Sequence, residues 1–175
     1  ITFSCYGHFL HGQEPGTVDR EHSKYGAPFA PASRRRLAYV RSLMKEPPFV
    51  LNGRCRDVVL GALLAACRKP GWTIWAAHVR ATHVHVVIEA DCRPEMVLRQ
   101  LKASATTHLQ AVEPSWTKTR RRHWARHGST RYLWTEQQFR NAMSYVLLDQ
   151  GEPQALFANP AWSMRLMPVA APKSG

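Results

Sequence analysis

Residues 82–89, Thr-His-Val-His-Val-Val-Ile-Glu, limit what this chain can fold into more than any other stretch. A run rich in β-branched residues with polar ends reads as a strand. Side chains alternate across a strand, so His83, His85, Val87 and Glu89 share one face while Val84, Val86 and Ile88 line the other. The second face is wholly apolar and requires a core. The first brings two imidazoles within roughly 7 Å of each other at the backbone, close enough to converge on one metal ion. A structural pair with no ligand is the plainer alternative for two histidines at this spacing.

About sixty residues further on, residues 135–150 read as a helix in which Phe139, Ala142, Met143, Val146 and Leu147 recur at helical spacing and form a buried stripe. At the helical rotation per residue, Tyr145 and Asp149 lie about 40° apart on one flank of that stripe. A phenol and a carboxylate one turn apart can enter the same cleft. For the helix alone, the alternative is a half-buried core tyrosine with Asp149 merely solvated.

The rest of the chain supplies partners for these two elements. Residues 1–10 open with a strand that sets Ile1, Phe3 and Cys5 against Thr2, Ser4 and Tyr6. Residues 11–31 carry glycines and prolines too closely spaced for a regular element. His8, His11 and His22 there could touch a nucleic acid or simply decorate a surface loop. Residues 32–45 read as a helix with Ser33 as its N-cap, and its Arg34, Arg35, Arg36 and Arg41 suit either a phosphate backbone or a solvated face. Asn52-Gly53 turns the chain into a helix over 55–69, with Val58, Val59, Ala62, Leu63 and Ala66 as its core stripe. Residues 72–79 form the next strand, joined at Arg80-Ala81 to the histidine strand in a hairpin. Pro94 suits the first turn of a helix reaching about residue 110. A basic connection over 113–122 follows. Residues 124–127 and 130–134 then read as two short strands joined at Gly128-Ser129. After Gly151 the periodicity is lost, and Pro153, Pro160, Pro168 and Pro172 predict an extended tail. Phe157 and Trp162 could dock that tail on the domain, with residues 169–175 disordered. This order fits an α+β sandwich, with helices over an antiparallel sheet.

At 175 residues and 45% hydrophobic content, one globular domain is expected. The 24 basic residues against 12 acidic give a net charge of +12 and a pI near 10.2. Such an excess favours a polyanionic partner, since each neutralised phosphate releases counterions. With no apolar run long enough to span a bilayer and no signal peptide, a soluble cytoplasmic protein without a membrane partner is expected. Cys5, Cys55, Cys67 and Cys92 show no metal-ligand spacing and read as reduced thiols. The first residue is Ile1, which leaves room for an upstream segment.

His83-Val84-His85 fits the motif of the HUH endonucleases, in which U is a hydrophobic residue. With Ala81-Thr82 before it, Val86-Val87-Ile88-Glu89-Ala90 after it, and the later run from Ser144-Tyr145 through Gln150-Gly151-Glu152-Pro153, the chain resembles the single-tyrosine transposases of bacterial insertion sequences. It is similar too to the branch associated with repetitive extragenic palindromes. The resemblance covers residues 1–155, with 156–175 left as a proline-containing C-terminal tail. It implies a ferredoxin-like sandwich whose central antiparallel sheet carries the His-x-His strand, with the first strand beside it. It also implies that Tyr145 is the nucleophile and that His83 and His85 hold a divalent cation, Mg²⁺ or Mn²⁺. Asp149 is expected as the third ligand, although the family often has glutamine or another polar residue four positions after its tyrosine. Gln150 stands one place further and points about 100° away on an ideal helix.

The implied activity is cleavage and rejoining of single-stranded DNA near hairpins through a 5′-phosphotyrosine. The implied partner is hairpin-bearing single-stranded DNA, met by a monomer or homodimer in the bacterial cytoplasm, close to the nucleoid. Arg120, Arg121, Arg122, Trp124, Arg126 and Arg131, with Lys102 from the preceding helix, are the expected DNA-binding set. Basic residues interleaved with Trp124, Tyr132 and Trp134 suit single strands, on which bases stack on aromatics and cations track phosphates. Core packing must absorb some of these rings, leaving one or two to meet bases.

Two rivals differ in class or length. A non-catalytic single-stranded nucleic-acid-binding module would place aromatics on its central strands, where this chain offers His83 and His85. A replication initiator or conjugative relaxase usually implies a longer chain and, for many relaxases, another histidine ligand.

Overall fold

A computed structural model describes residues 1–14 and 30–162. In chain order its elements are β1 (Thr2–Ser4), α1 (Arg34–Ser42), α2 (Gly53–Arg68), β2 (Thr73–Val79), β3 (His83–Glu89), α3 (Pro94–Val112), α4 (Trp116–Thr119), α5 (Glu136–Leu147) and β4 (Ala155–Ala158). The four strands form one antiparallel sheet in the order β1-β3-β2-β4. The molecule is α+β, and the histidine strand is interior to its sheet.

Local chemistry accounts for the helix starts. Ser33 accepts a hydrogen bond from the Arg36 amide at 3.2 Å, and Asn52 accepts one from the Cys55 amide at 2.8 Å. Thr135 and Gln138 form a capping box at α5, each side chain satisfying the other's backbone N–H. Pro94 sits in the first turn of α3, where its missing N–H costs nothing.

The alternation of β3 splits the molecule into layers. Val84 and Val86 join Phe3, Cys5, Ala77 and Val79 against Val59, Leu63, Leu101, Ala105 and Leu109 of α2 and α3 in the main core. The opposite face carries a smaller cluster, in which Ala76 and Val87 meet Met143 and Val146 of α5. The β2–β3 register slips between Ile74 and Ala76, with Trp75 as the extra residue of β2. Such a bulge lets Trp75 and Ala76 both serve the α5 side.

Two predicted segments fold differently. Residues 124–127 and 130–134 do not pair with each other. Instead the first runs along β1, with antiparallel bridges Cys5↔Trp124 and Thr2↔Ser129. The free N–H and C=O groups of β1 offer a better partner than a hairpin with few cross-strand contacts. Gly128 is required there, since a Cβ would meet the Thr2 carbonyl oxygen at 2.7 Å. The aperiodic stretch after Gly151 also supplies a strand, because Ala155–Ala158 pairs with β2. A four-residue strand on a sheet edge is too short for a visible alternation, and its hydrogen bonds come from β2. The structural unit therefore runs past residue 155. Trp162 docks as expected, its ring 5.5 Å from that of Phe139. His22 and residues 169–175 lie outside the described residues.

Cys5, Cys55 and Cys67 are buried free thiols, and Cys92 is partly buried. Burial pushes Cys5 up to about 12 and Cys67 up to about 11, which keeps both as inert thiols. No described helix is long and apolar enough to cross a membrane.

Candidate active site on the histidine face

His83 and His85 stand side by side on β3, ring centroids 4.8 Å apart. The register places Thr2 opposite His85 and Ser4 opposite His83 on β1. Thr2 Oγ1 shares a hydrogen bond of 2.8 Å with Nδ1 of His85. Thr82 Oγ1 does the same for Nδ1 of His83 at 3.1 Å. Both rings are thus tied at one nitrogen. When each Nδ1–H donates to its threonine, each Nε2 keeps a free lone pair.

Tyr145 reaches this pair from α5. Its ring lies 5.4 Å from that of His85 in an edge-to-face arrangement, and it is half exposed. The approach is fixed by the C-terminal end of α5, where carbonyls lose their helical partners. The Leu148 amide donates to Ser144 O at 2.8 Å, and Gln150 Nε2 donates to Tyr145 O at 3.2 Å. His78 of β2 takes the next carbonyl. Its Nε2 accepts from the Gln154 amide at 3.1 Å, so Nδ1 carries the proton and donates to Val146 O at 3.1 Å. His78 is almost fully buried and fastens the tyrosine helix and the approach to β4 to the sheet.

The expected third ligand, Asp149, lines the same cleft as His85 and Tyr145. Asp149 is exposed, and among the described residues no three His, Cys, Asp or Glu side chains converge as metal ligands. Gln150 lies near both histidine rings, and its side chain acts to raise their pKa values against the effect of burial. The cause of this placement is the length of the helix. α5 ends at Leu147, with Leu148 as its cap and Gly151 at a φ of 70°. Helical rotation therefore does not carry through to residues 149 and 150.

Burial, aided by neighbouring His83, pushes the His85 imidazole down to about 4. Burial lowers His83 as well, partly offset by Gln150. Both rings are therefore neutral at pH 7, the form that ligates metals. Two imidazole nitrogens, a carboxamide oxygen and the negative end of the α5 dipole make a donor set that fits a divalent cation such as Mg²⁺ or Mn²⁺.

The predicted DNA-binding residues divide by environment. Lys102 Nζ donates to Ala125 O at 2.9 Å and to His127 O at 3.0 Å, clamping the segment beside β1, and burial lowers its pKa. The Arg120 guanidinium donates to Pro47 O and Arg122 O, pairs with Glu46 at 3.7 Å and lies over the Phe49 ring. Trp124 packs edge-on against Phe3 and donates to Thr106 at 3.0 Å. These three also act as structural ties within the fold. Their polar ends are taken by backbone carbonyls and side chains that no single-sequence pattern reveals. Arg121, Arg122 and Arg126 are exposed, although the amides of Arg121 and Arg122 are held by Glu46 and the Arg122 guanidinium lies near the Tyr6 ring. Arg131 is exposed and lines a cleft of about 910 Å³ that also holds Thr2, His85, Glu89, Tyr145 and Asp149.

Compared with family models, curated protein sequences and solved structures, the chain matches none.

Proposed function

We propose that this protein is a single-strand DNA nuclease and strand transferase of the single-tyrosine HUH type, a transposase or a host-adopted relative. The observation that carries the proposal is the 5.4 Å approach of the Tyr145 ring to His85, itself paired with His83. A phenol half open to solvent, beside two neutral imidazoles and a carboxamide, suits phosphodiester chemistry better than core packing. A ferredoxin-like sheet is part of the proposal. It is supported by the strand order β1-β3-β2 and by the antiparallel run of residues 124–129 on the outer side of β1, where that topology places its last strand.

His83, His85 and Gln150 would hold the Mg²⁺ or Mn²⁺, with Asp149 outside the first coordination sphere. Bound there, the cation supplies polarisation of a non-bridging phosphate oxygen and alignment of the scissile phosphate. Thr2 and Thr82 orient the two imidazoles, and His78 with Gln150 fixes the helix end that presents Tyr145. The Tyr145 hydroxyl attacks phosphorus, forming an O–P bond as the phenol proton leaves. The P–O3′ bond breaks, and the departing oxygen takes up a proton to become a 3′-hydroxyl. The resulting 5′-phosphotyrosine conserves the diester, so attack by another 3′-hydroxyl rejoins strands without ATP. The partner is single-stranded DNA carrying a hairpin, met by a monomer or homodimer in the bacterial cytoplasm near the nucleoid. The net charge of +12 supports a polyanionic partner.

Incubation with single-stranded hairpin DNA and Mn²⁺ tests the proposal, with a covalent adduct read on a denaturing gel. The wild type gives the adduct, and Tyr145→Phe gives none. His83→Ala loses the adduct but keeps most of its salt-sensitive DNA binding. An adduct retained by Tyr145→Phe rules out the assigned nucleophile, and a wild type that forms none leaves the non-catalytic binding module standing.

A further inference from the structure

Residues 132–134 lead directly into the cap of α5 and alternate as extended backbone does. Leu133 turns inward and packs against the cluster under α5. Tyr132 and Trp134 turn outward, and their rings stack on each other at 5.0 Å with planes 19° apart. Tyr132 is 56% exposed and Trp134 is 79% exposed. An indole this open to water is unusual for so large an apolar group.

The position of Trp134 makes its exposure more telling. It directly precedes the N-cap Thr135, and a hydrophobic residue there ordinarily folds down onto the fourth helical position as a staple. That position is Phe139, whose ring instead meets Trp75 at 5.6 Å and Trp162 at 5.5 Å. Trp134 is therefore held outward. Its backbone N–H donates to Gln138 Oε1 at 2.8 Å, within the capping box that also anchors α5. The two rings are thereby rigidly connected to the helix that carries Tyr145. Both line the same cleft as His85 and Tyr145.

We propose that Tyr132 and Trp134 form a stacking platform for an unpaired base of single-stranded DNA, held in the cleft next to Tyr145. The choice of DNA as occupant rests on the nuclease reading above. The platform takes a base rather than a phosphate. Glu89, Glu136 and Asp149 share the cleft with Arg131, and although Glu136 pairs with Arg140 at 3.3 Å, the acidic groups lining it outnumber the one arginine. A flat, preorganised aromatic surface beside acidic groups suits the uncharged face of a nucleobase. The phosphates then run along the exposed Arg126 side of the molecule.

Equilibrium titration of the metal-free protein with a single-stranded oligonucleotide, at several salt concentrations, tests this without cleavage. Trp134→Ala weakens binding about tenfold, from the loss of one base–aromatic stack, with an unchanged slope of log K against log salt. Arg126→Ala lowers that slope, since it removes a phosphate contact. Trp134→Phe restores most of the affinity, and Trp134→Leu, apolar but not planar, does not. Duplex of the same sequence binds Trp134→Ala and wild type alike. Unaltered single-strand affinity in Trp134→Ala, full rescue by leucine, or an equal loss on duplex each overturns the platform. Because the side chain is exposed, the thermal midpoint stays that of wild type, which separates lost stacking from lost fold. Failure of the covalent-adduct assay with the stacking signature intact would remove the nuclease reading and leave the platform. The reverse pattern would do the opposite.

Discussion

On the α2/α3 side, the sheet is sealed. Phe3, Val79, Val84 and Val86 meet Val59, Leu63, Leu101 and Leu109, all within 2% of complete burial. On the α5 side, the fully buried apolar cluster among the described residues is Ala76, Val87, Met143 and Val146, ringed by partly buried Trp75, Phe139 and Trp162. Thr2, His78, His83 and His85 share that face. One strand, β3, serves both sides. Period-2 alternation lets one face take most of the fully buried apolar side chains. The other face is then free to hold imidazoles in a partly desolvated and incompletely filled site.

Truncation on the sealed face should have the largest effect on stability. Leu101→Ala removes a fully buried side chain where neighbours can relax little, and should cost about 3–4 kcal/mol in denaturant titration. The same truncation at Met96, which is half exposed on the same helix, should cost well under 1 kcal/mol. Equal costs at the two positions would break the assignment of the core to this face.

The histidine face should respond to acid, which the sealed face cannot do. His85 is held at about 4 in the folded protein against an ordinary 6.5. Its folded value is depressed, so its neutral form stabilises the fold fully above about pH 6.5. Between there and about pH 4 the unfolded chain binds the extra proton. Metal-free protein should accordingly lose about 2–3 kcal/mol over that window. His85→Gln should flatten most of that acid limb, and an unchanged limb would show that other groups, such as the depressed His78 and His123, carry it.

His78 links the two faces. Removing it orphans Val146 O and the Gln154 amide together, so His78→Ala should cost about 2 kcal/mol. It should also lower adduct yield, since it loosens the end of α5 that aims Tyr145. Glutamine, which can offer a donor and an acceptor, should recover part of both.

Much of this arrangement was legible in the sequence, for a physical reason. The β3 alternation, the α5 stripe and the cap at Ser33 are local patterns, and local patterns survive folding. Tyr145 could be singled out by its helix, and the structure brings its ring to the histidines. What could not be read was decided by long-range partners. Trp124 and Trp134 lie in the same basic stretch and look equivalent as letters. One is absorbed between Phe3 and Thr106, while the other stands in solvent. Lys102 and Arg120 bond carbonyls 23 and 73 residues away, partners that no local pattern reveals. Strand β4 escaped notice because its pairing with β2 supplies what its own sequence lacks.

The smallest predicted effect separates two neighbouring side chains at the edge of the histidine face. Asp149 carries a charge but is exposed, while Gln150 is neutral and lies near both rings. Charge alone favours Asp149 as the ligand, and placement favours Gln150. Placement should win, because Gln150 lies near both rings while Asp149 is exposed just past the Leu148 cap. Mn²⁺ affinity, followed by paramagnetic resonance of the free ion, should fall about tenfold in Gln150→Ala, the change typical of lost outer support or one weak ligand. Asp149→Asn should alter it no more than about twofold, through the screened field of an exposed charge. If Asp149→Asn is instead the more damaging, Asp149 rather than Gln150 is the third ligand.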